Sequence, residues 1–327
     1  MAKGCLPNSL SEVTTLLKMI LTRLLRGLVT LAIVTVLVFV LLRSVPGDTA
    51  AMLAGGDATE EQIEELREMW GLNKGLGEQF IIYVRNLLKG DTGWSYQYLE
   101  NGKPLYTAME LVLLRIPNTI LLAIAALIIA LIVAIPMGVF SAIKPGGIID
   151  NIGMTLTFTI QSFPIFFIGM LLIMIFSLWT GLLPSGGSGK FINLILPAVT
   201  LSAHTMAQLL RVTRTEVGRV MDSDFIRTSR AKGLSTRNVI FKHGLRNAMI
   251  PLVTVIGLRF GALLHGAVIC ETLFRWPGIG NLLITSLNSR DYAVVQILVP
   301  YTAFIFIILN ITVDILYGIL DPRIRVK

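Results

Sequence analysis

Six stretches of nearly unbroken apolar residues, separated by polar runs of very unequal length, organise the chain. Apolar runs of about 20 residues are long enough to cross a bilayer as helices. They predict spans over 27–42 (extended back towards 21 to gain length), 116–140, 152–178, 192–210, 249–269 and 294–320. Pro117, Pro136 and Pro164 fall inside or at the ends of these runs. Proline is tolerated in a span when neighbouring helices satisfy the freed backbone groups, so kinks and a bundle are expected.

The polar runs carry patterns of their own. Over 46–110 the period shortens to two helices too polar to span. Thr59 with Gln62 three residues on is a capping box. Ile63, Leu66, Met69 and Trp70 follow at helical spacing, and Gly71 ends the run. A second helix is expected over 78–88, stopped by Gly90. Over 211–251 the chain is basic. Asp222 or Ser223 can cap a helix starting near Asp224, with Gly233 as its stop. Ser235 can cap another carrying Val239, Ile240, His243, Leu245 and Arg246 towards Pro251.

Composition agrees with a polytopic membrane protein. Of 327 residues, 54% are hydrophobic and 15% charged, against about 25% charged in soluble domains; the mean hydropathy is +0.74. The pI near 9.7 does not argue for nucleic acid, because the positive charge sits beside apolar spans. Residues 211–251 hold nine basic and three acidic side chains, net +6, whereas 46–110 hold eleven acids and five bases, net −6. The first 26 residues are net +3, and Arg323, Arg325 and Lys327 close the chain. Basic loops stay in the cytoplasm. The expected topology therefore has six spans, both termini and the 211–250 loop cytoplasmic, and 46–115 outside. This divides the chain into a tail and first span (1–45), a helical extracytoplasmic segment (46–115) and a core of five spans (116–327).

Some chemistry is set aside by spacing. Cys5 and Cys270 form no CxxC, which argues against a disulfide framework or zinc site. The first span lacks a small-x-small cleavage site and reads as a retained anchor. Leu182 to Phe191 contains Gly189-Lys190, but Pro184 and Phe191 stand where a phosphate loop needs Gly and Ser/Thr, so this is a Gly-rich turn. Three scattered histidines, His204, His243 and His265, make no ligand cluster. There is no HExxH, no GxSxG and no pair of aspartates within a span, which disfavours an intramembrane enzyme.

The basic loop admits two readings. A short helix and a glycine bend held under the membrane would form a knob able to receive a push from a cytoplasmic partner. Alternatively, the loop rests on anionic lipid headgroups. The composition is compatible with both. Likewise, Glu60, Glu61, Glu64 and Glu65 either belong to a cap over the spans or form a docking surface for an external partner.

Here the residues resemble a family. The run Arg227-Thr228-Ser229-Arg230-Ala231-Lys232-Gly233-Leu234, continuing through His243, Arg246 and Asn247, is similar to the coupling loop of ABC-importer permeases of the dipeptide/oligopeptide/nickel type, specifically the first permease. Leu42-Arg43-Ser44-Val45-Pro46-Gly47-Asp48, Ser162-Phe163-Pro164, Glu271 to Gly280, Arg290-Asp291-Tyr292 and Leu320-Asp321-Pro322-Arg323 resemble further landmarks of that family. Arg227-Thr228-Ser229 stand where the broader signature has Glu-Ala-Ala, which narrows the subfamily, and Gly71 to Leu76 lacks a proline the family carries there.

The resemblance implies an all-α, six-span permease subunit in a bacterial or archaeal cytoplasmic (inner) membrane. Its partners would be a homologous second permease, two ATPase subunits and an extracytoplasmic substrate-binding protein, with the lipid bilayer as solvent and no nucleic acid. ATP and magnesium would belong to the ATPase subunits, with no cofactor, metal or catalytic residue in this chain. The coupling residues it implies are Asp224, Arg227, Thr228, Arg230, Ala231, Lys232, Gly233, Leu234, His243, Arg246 and Asn247. Peptides, glutathione-like peptides or chelated nickel all suit such a permease. Within the spans, Arg259 is a costly charge that faces either the translocation path or a structural partner. His204 and Gln208, one turn apart, line the same path or bond a neighbouring helix, and Gln161 precedes the Pro164 kink. Asp314 reads as a helix-packing acid. The rival is a self-contained secondary transporter or channel, which would need intramembrane carboxylates, and Asp314 alone offers itself.

Overall fold

Among the described residues, fifteen segments of regular structure realise this pattern, and helices dominate. The computed structural model of the chain describes residues 9–44, 48, 50–51, 58–69, 71–91, 93–95, 99–100, 103–235 and 238–320, with the backbone alone for 9–20, 66, 69, 99–100, 103–104, 242–243, 250 and 313–320. Cys5, Val45-Pro46-Gly47, Trp70 and the closing Arg323, Arg325 and Lys327 lie outside the described residues. Helix α1 (Ser9–Ser44) is followed by α2 (Glu60–Met69) and α3 (Leu76–Lys89). A two-residue antiparallel ladder, β1 (Leu99–Glu100) with β2 (Lys103–Pro104), precedes α4 (Ala108–Ile143). Then come α5 (Ile148–Ser162), α6 (Ile165–Leu172) prolonged by a π-helix (Ile173–Trp179), α7 (Ile192–Met221) and α8 (Asp224–Ala231). A second π-helix (Asn238–Leu245) runs straight into α9 (Arg246–Leu273), and α10 (Ile279–Asn288) and α11 (Tyr292–Leu320) complete the chain.

Five helices are long and apolar enough to cross a membrane, within α1, α4, α7, α9 and α11, and α5 with α6 makes a sixth if the bent pair is one span. The bend is 110°, far more than a kink in a continuous span over 152–178. Its cause is local. Pro164 has no N–H to donate and drives the preceding residue out of the helical region, so Phe163 is extended at φ −100 and ψ 140. Phe163 and Phe167 stack across the break, ring centres 5.0 Å apart.

Helix ends also depart from the apolar runs. α4 begins at Ala108, ahead of residue 116, because Thr107 and Glu110 form a reciprocal capping box: each backbone N–H donates to the other's side chain, at 2.8 and 3.2 Å. α7 carries on past residue 210 to Met221, and α9 passes through Pro251. Charge decides where a helix leaves the hydrocarbon and does not decide where it stops. In the acidic segment the expected punctuation forms: Thr59 and Gln62 exchange bonds of 2.9 and 3.3 Å, and Gly71 and Gly90 end α2 and α3 with φ of 61 and 71.

The chain divides into two compact units. One holds Met1–Ile20, Ile120–Trp276 and Asn310–Lys327, with α7 at its centre. Small residues (Ala198, Ala203, Ala207, Thr200, Ser202, Thr205) are buried along α7, which permits close helix approach without much hydrophobic driving force. Gly138 of α4 is one such approach, where a Cβ would lie 2.6 Å from the Thr213 side chain and 2.9 Å from the Leu210 carbonyl. The other unit, Leu21–Thr119 with Pro277–Leu309, packs α3 on spans: Tyr83 is fully buried and donates its hydroxyl to the Gln296 carbonyl at 2.7 Å. There Asn118 and Thr119 bind the Pro277 carbonyl and the Ile279 N–H, holding the turn into α10.

One ion pair clamps the first unit. Asp150, in the first turn of α5 and with 4% of its side chain exposed, accepts from Arg214 Nε at 2.5 Å and Nη2 at 2.8 Å, and from the Gly146 N–H at 2.8 Å. The fork geometry suits an arginine–carboxylate pair. Asp150→Ala should strip Arg214 of its partner and cost about 2–3 kcal/mol, a buried-pair loss reduced by the partial exposure of Arg214. A thermal unfolding series in detergent checks this, with Arg214→Lys giving incomplete rescue because it cannot bind bidentately.

Candidate functional site

The basic loop builds its knob from a helix that buries one side chain and exposes the rest. In α8, Ile226 is fully buried while Asp224, Phe225, Arg227, Thr228, Arg230 and Ala231 are exposed. Ser223 stands at the N-cap in extended backbone, without a side-chain cap bond; its hydroxyl turns back to the Val220 carbonyl. Lys232 closes the helix, and Gly233 at φ +76 makes the left-handed exit. There the Gly233 N–H reaches Arg230 O at 2.9 Å and the Leu234 N–H reaches Ser229 O at 3.4 Å, a glycine-ended motif that satisfies the last carbonyls. Ser235 then starts the next helix, accepting from Val239 N at 3.0 Å on its carbonyl.

What holds the knob is apolar. Ile240 and Ala248 are buried with Val139 of α4 and Val217 of α7, backed by Val220, Met221 and Leu245. Gly244 fits against Met221, its missing Cβ 3.1 Å from the sulfur. Arg246 and Asn247 open α9 and are exposed; the backbone of His243 lies in the π-helix and its side chain is outside the described residues. Among the described residues the charges of this loop pair along the helices, Arg219 with Glu216 at 3.0 Å and Arg227 with Asp224 at 3.7 Å. Two exposed aromatic side chains, Phe225 and Phe241, with Leu234, give this basic surface apolar contact points. Phe225 and Phe241 are not singled out by a reading that counts charges; the available signal was an aromatic residue beside an amphipathic anchor.

The four polar residues proposed for the spans fall at one level of the first unit. Leu201 lies against Gly266 and Met221 against Gly244, so α7 and α9 run antiparallel and Gln208 is level with Arg259. Gly153 faces Leu210 and Asp150 holds Arg214, which brings Gln161 level with His204. All four thus fall within about two turns of helix. Gln161 Nε2, His204 Nδ1 and Arg259 Nε are buried and have no hydrogen-bond partner among the described residues. Buried polar atoms are normally paired, so such a set points to water, a partner or a solute. His265 is elsewhere engaged, its Nδ1 2.8 Å from Gly261 O. The side chain of Asp314 is outside the described residues.

The acidic segment presents Glu60, Glu61, Glu64 and Glu65 along α2, with Glu60, Glu61, Glu64 and Glu65 exposed apart from their backbone turn. Arg67 ties the helix down, bonding Asp48 at 2.6 Å and also Glu64. Desolvation pushes the Asp48 carboxyl up, but the Ala50 N–H and Arg67 outweigh it and hold it below its ordinary range.

Against this geometry stand the relatives. Residues 134–326 match the family described as the inner membrane component of binding-protein-dependent transport systems, and residues 16–100 match the N-terminal part of the membrane component. The chain belongs to this family: it is a multi-pass inner-membrane permease of the ABC-importer type. Its relatives include the glutathione transport system permease protein GsiC of Pectobacterium atrosepticum, 41% identical over 95% of this chain and all of that protein. GsiC of Escherichia coli K12 is 40% identical over the same shares. In fold, the chain resembles the inward-facing MetNI methionine ABC transporter, with a TM-score of 0.55 and 16% identity over 65% of this chain and 97% of that one. Membership in this family does not favour the self-contained secondary transporter or channel.

Two outcomes follow from the local geometry. Gly233→Val should cost about 1–2 kcal/mol, since a β-branched residue is strained at a left-handed φ, and hydrogen exchange should show α8 fraying while the spans stay protected. The Asp48 latch, whose folded carboxyl titrates lower than the unfolded one, contributes fully above about pH 4 and is lost as pH falls through the depressed folded value. Proteolysis within Glu60–Met69 should therefore rise in acid, and Asp48→Asn should give the raised rate already at pH 7.

Proposed function

We propose that this chain is the first permease of an ATP-driven importer for glutathione or similarly small peptides, working with a homologous second permease. Two ATPase subunits would carry the ATP and magnesium, and a substrate-binding protein would deliver the solute. The charge asymmetry, net +6 at 211–251 against net −6 at 46–110, supports cytoplasmic termini and an extracytoplasmic acidic segment. The observation that carries the coupling role is α8 itself. A short helix is anchored by buried Ile226 and leaves Phe225, Arg227, Thr228 and Arg230 free for a partner. Arginine and aromatic side chains of this kind dominate binding energy at interfaces.

In this reading the ATPase subunits grip α8 and its flanks, Ala231 to Leu234 with His243, Arg246 and Asn247. Their closure moves the helices to which the loop is anchored, α4 through Val139 and α7 through Val217. Gln161, His204, Gln208 and Arg259 line the passage, with Arg259 attracting a solute carboxylate; the unpaired buried atoms of Gln161, His204 and Arg259 support this placement. Glu60, Glu61, Glu64 and Glu65 receive a basic patch on the binding protein, a contact weakened by salt. The glutathione cargo rests on the named function of the GsiC relatives.

The test is ATP hydrolysis and labelled glutathione uptake by the complex purified through this chain and reconstituted in vesicles. Phe225→Ala should lower transport-coupled ATPase activity about tenfold, as expected for loss of a central contact worth 1–2 kcal/mol, with the chain still folded and inserted. Uptake that proceeds without ATP, or that is competed by dipeptides and untouched by glutathione, would overturn the energy source or the cargo respectively.

A further inference from the structure

Beside the proposed passage and coupling loop, the first unit carries a cleft to which neither assigns a role. It has a volume of about 620 Å³ and lies where α6 ends and α7 begins, lined among others by Ser177, Pro184, Ser188, Lys190, Ile192 and Asn193. This is the size of a small-ligand site. Its wall is the Gly-rich turn, which three glycines at positive φ, Gly181, Gly187 and Gly189, fold back on itself. The turn is fixed in place: the Gly187 N–H donates to the Phe274 carbonyl at 2.9 Å, and Asn193 Nδ2 donates to Gly186 O at 2.8 Å. Gly186 packs so closely on Phe274 that any Cβ would collide with that carbonyl. The cleft is therefore latched to the end of α9.

The residue after that latch is Arg275. Its φ is +49, and of the ten described residues at positive φ only Arg275 and Arg290 are not glycine. Arg275 follows the last turn of α9, with Arg275 N bonded to Thr272 O at 3.3 Å and Trp276 N to Glu271 O at 2.8 Å. Glycine is the relaxed choice at such a position. An exposed arginine held there at a backbone cost is a feature to be explained by its side chain. Neither Arg275 nor Lys190 has an acidic partner among the described residues. Lys190 lines the cleft with two serine hydroxyls, Ser177 and Ser188, beside the positive end of α7, and Arg275 directly follows Phe274, whose carbonyl holds the cleft's wall at Gly187.

The rim is apolar. Leu178, Trp179, Leu182 and Phe191 are 72%, 73%, 67% and 81% exposed, at the ends of two segments of span character. A tryptophan at a span end belongs at headgroup depth. Cations and hydroxyls in a cleft, with acyl-chain-compatible side chains around it, match one ligand: we propose that this cleft binds the phosphate of an anionic phospholipid headgroup, with Lys190 and Arg275 as its two cations. An acidic surface of a soluble partner would meet the same cations, but it does not call for an apolar rim of exposed leucine, tryptophan and phenylalanine.

The experiment compares the transporter purified through this chain in nanodiscs of pure phosphatidylcholine and of phosphatidylcholine with phosphatidylglycerol. The variant is Lys190→Ala with Arg275→Gly, in which glycine suits the φ at 275 and so guards against misfolding. The wild type should retain phosphatidylglycerol through detergent release in native mass spectrometry and unfold at a higher temperature in its presence. The variant should lose both effects while matching or exceeding the wild-type unfolding temperature in phosphatidylcholine alone. Equal phosphatidylglycerol retention by the two proteins overturns the site. Loss of affinity for the soluble binding protein in phosphatidylcholine discs, with lipid retention unchanged, overturns it in favour of protein docking.

Discussion

The close packing of α7 is the constraint on which the larger unit depends. In its most apolar window 61% of residues are buried, against no more than 33% in any other single-helix span. Lipid tails are as apolar as leucine, so burial of this kind is not bought by hydrophobicity. It comes from small side chains that let neighbours close in, and from polar bonds made where no water competes. Gly138 admits Thr213, Gly266 admits Leu201, and Asp150 grips Arg214. Each contact removes one way in which α4, α5 or α9 could slide along α7.

That packing gives the two proposed functional regions a common support. Val217 and Val220, which underlie the basic loop, belong to the same helix as His204 and Gln208. α7 continues past the last apolar residue of its span, so a load on the loop meets a rigid rod rather than a flexible linker. The continuity of the π-helix into α9 does the same from the other side, reaching Arg259 through one unbroken helix. The π-helical stretch ends where α9 begins, and such stretches recur at functional positions.

Much of the local architecture could be read from residues. Thr59 with Gln62 makes the capping box, and Gly71, Gly90 and Gly233 adopt the left-handed backbone expected of helix ends. Ser223 and Asp224 open α8 where predicted. These features depend on neighbours within five residues, so the sequence near each is sufficient cause. The Thr107–Glu110 box obeys the same rule, Glu110 serving as a cap as well as a charge. Phe225 differs: nothing in a run of nine cations marks one aromatic residue, and only the fold exposes its ring beside a buried Ile226.

The sequence by itself determined the class of protein, its apolar spans, its charge asymmetry and its helix punctuation, because these follow from transfer free energies and from short-range backbone chemistry. It also placed Pro164, and with it the location of a break. Only the tertiary structure decided the size of that break, 110°, since the angle depends on what α5 and α6 pack against. It alone put Gln161, His204, Gln208 and Arg259 at one level, and latched a Gly-rich turn to the carbonyl of Phe274 from 87 residues away. Alignments of that kind join residues distant in sequence, and the register between packed helices is set by which small residues meet across them.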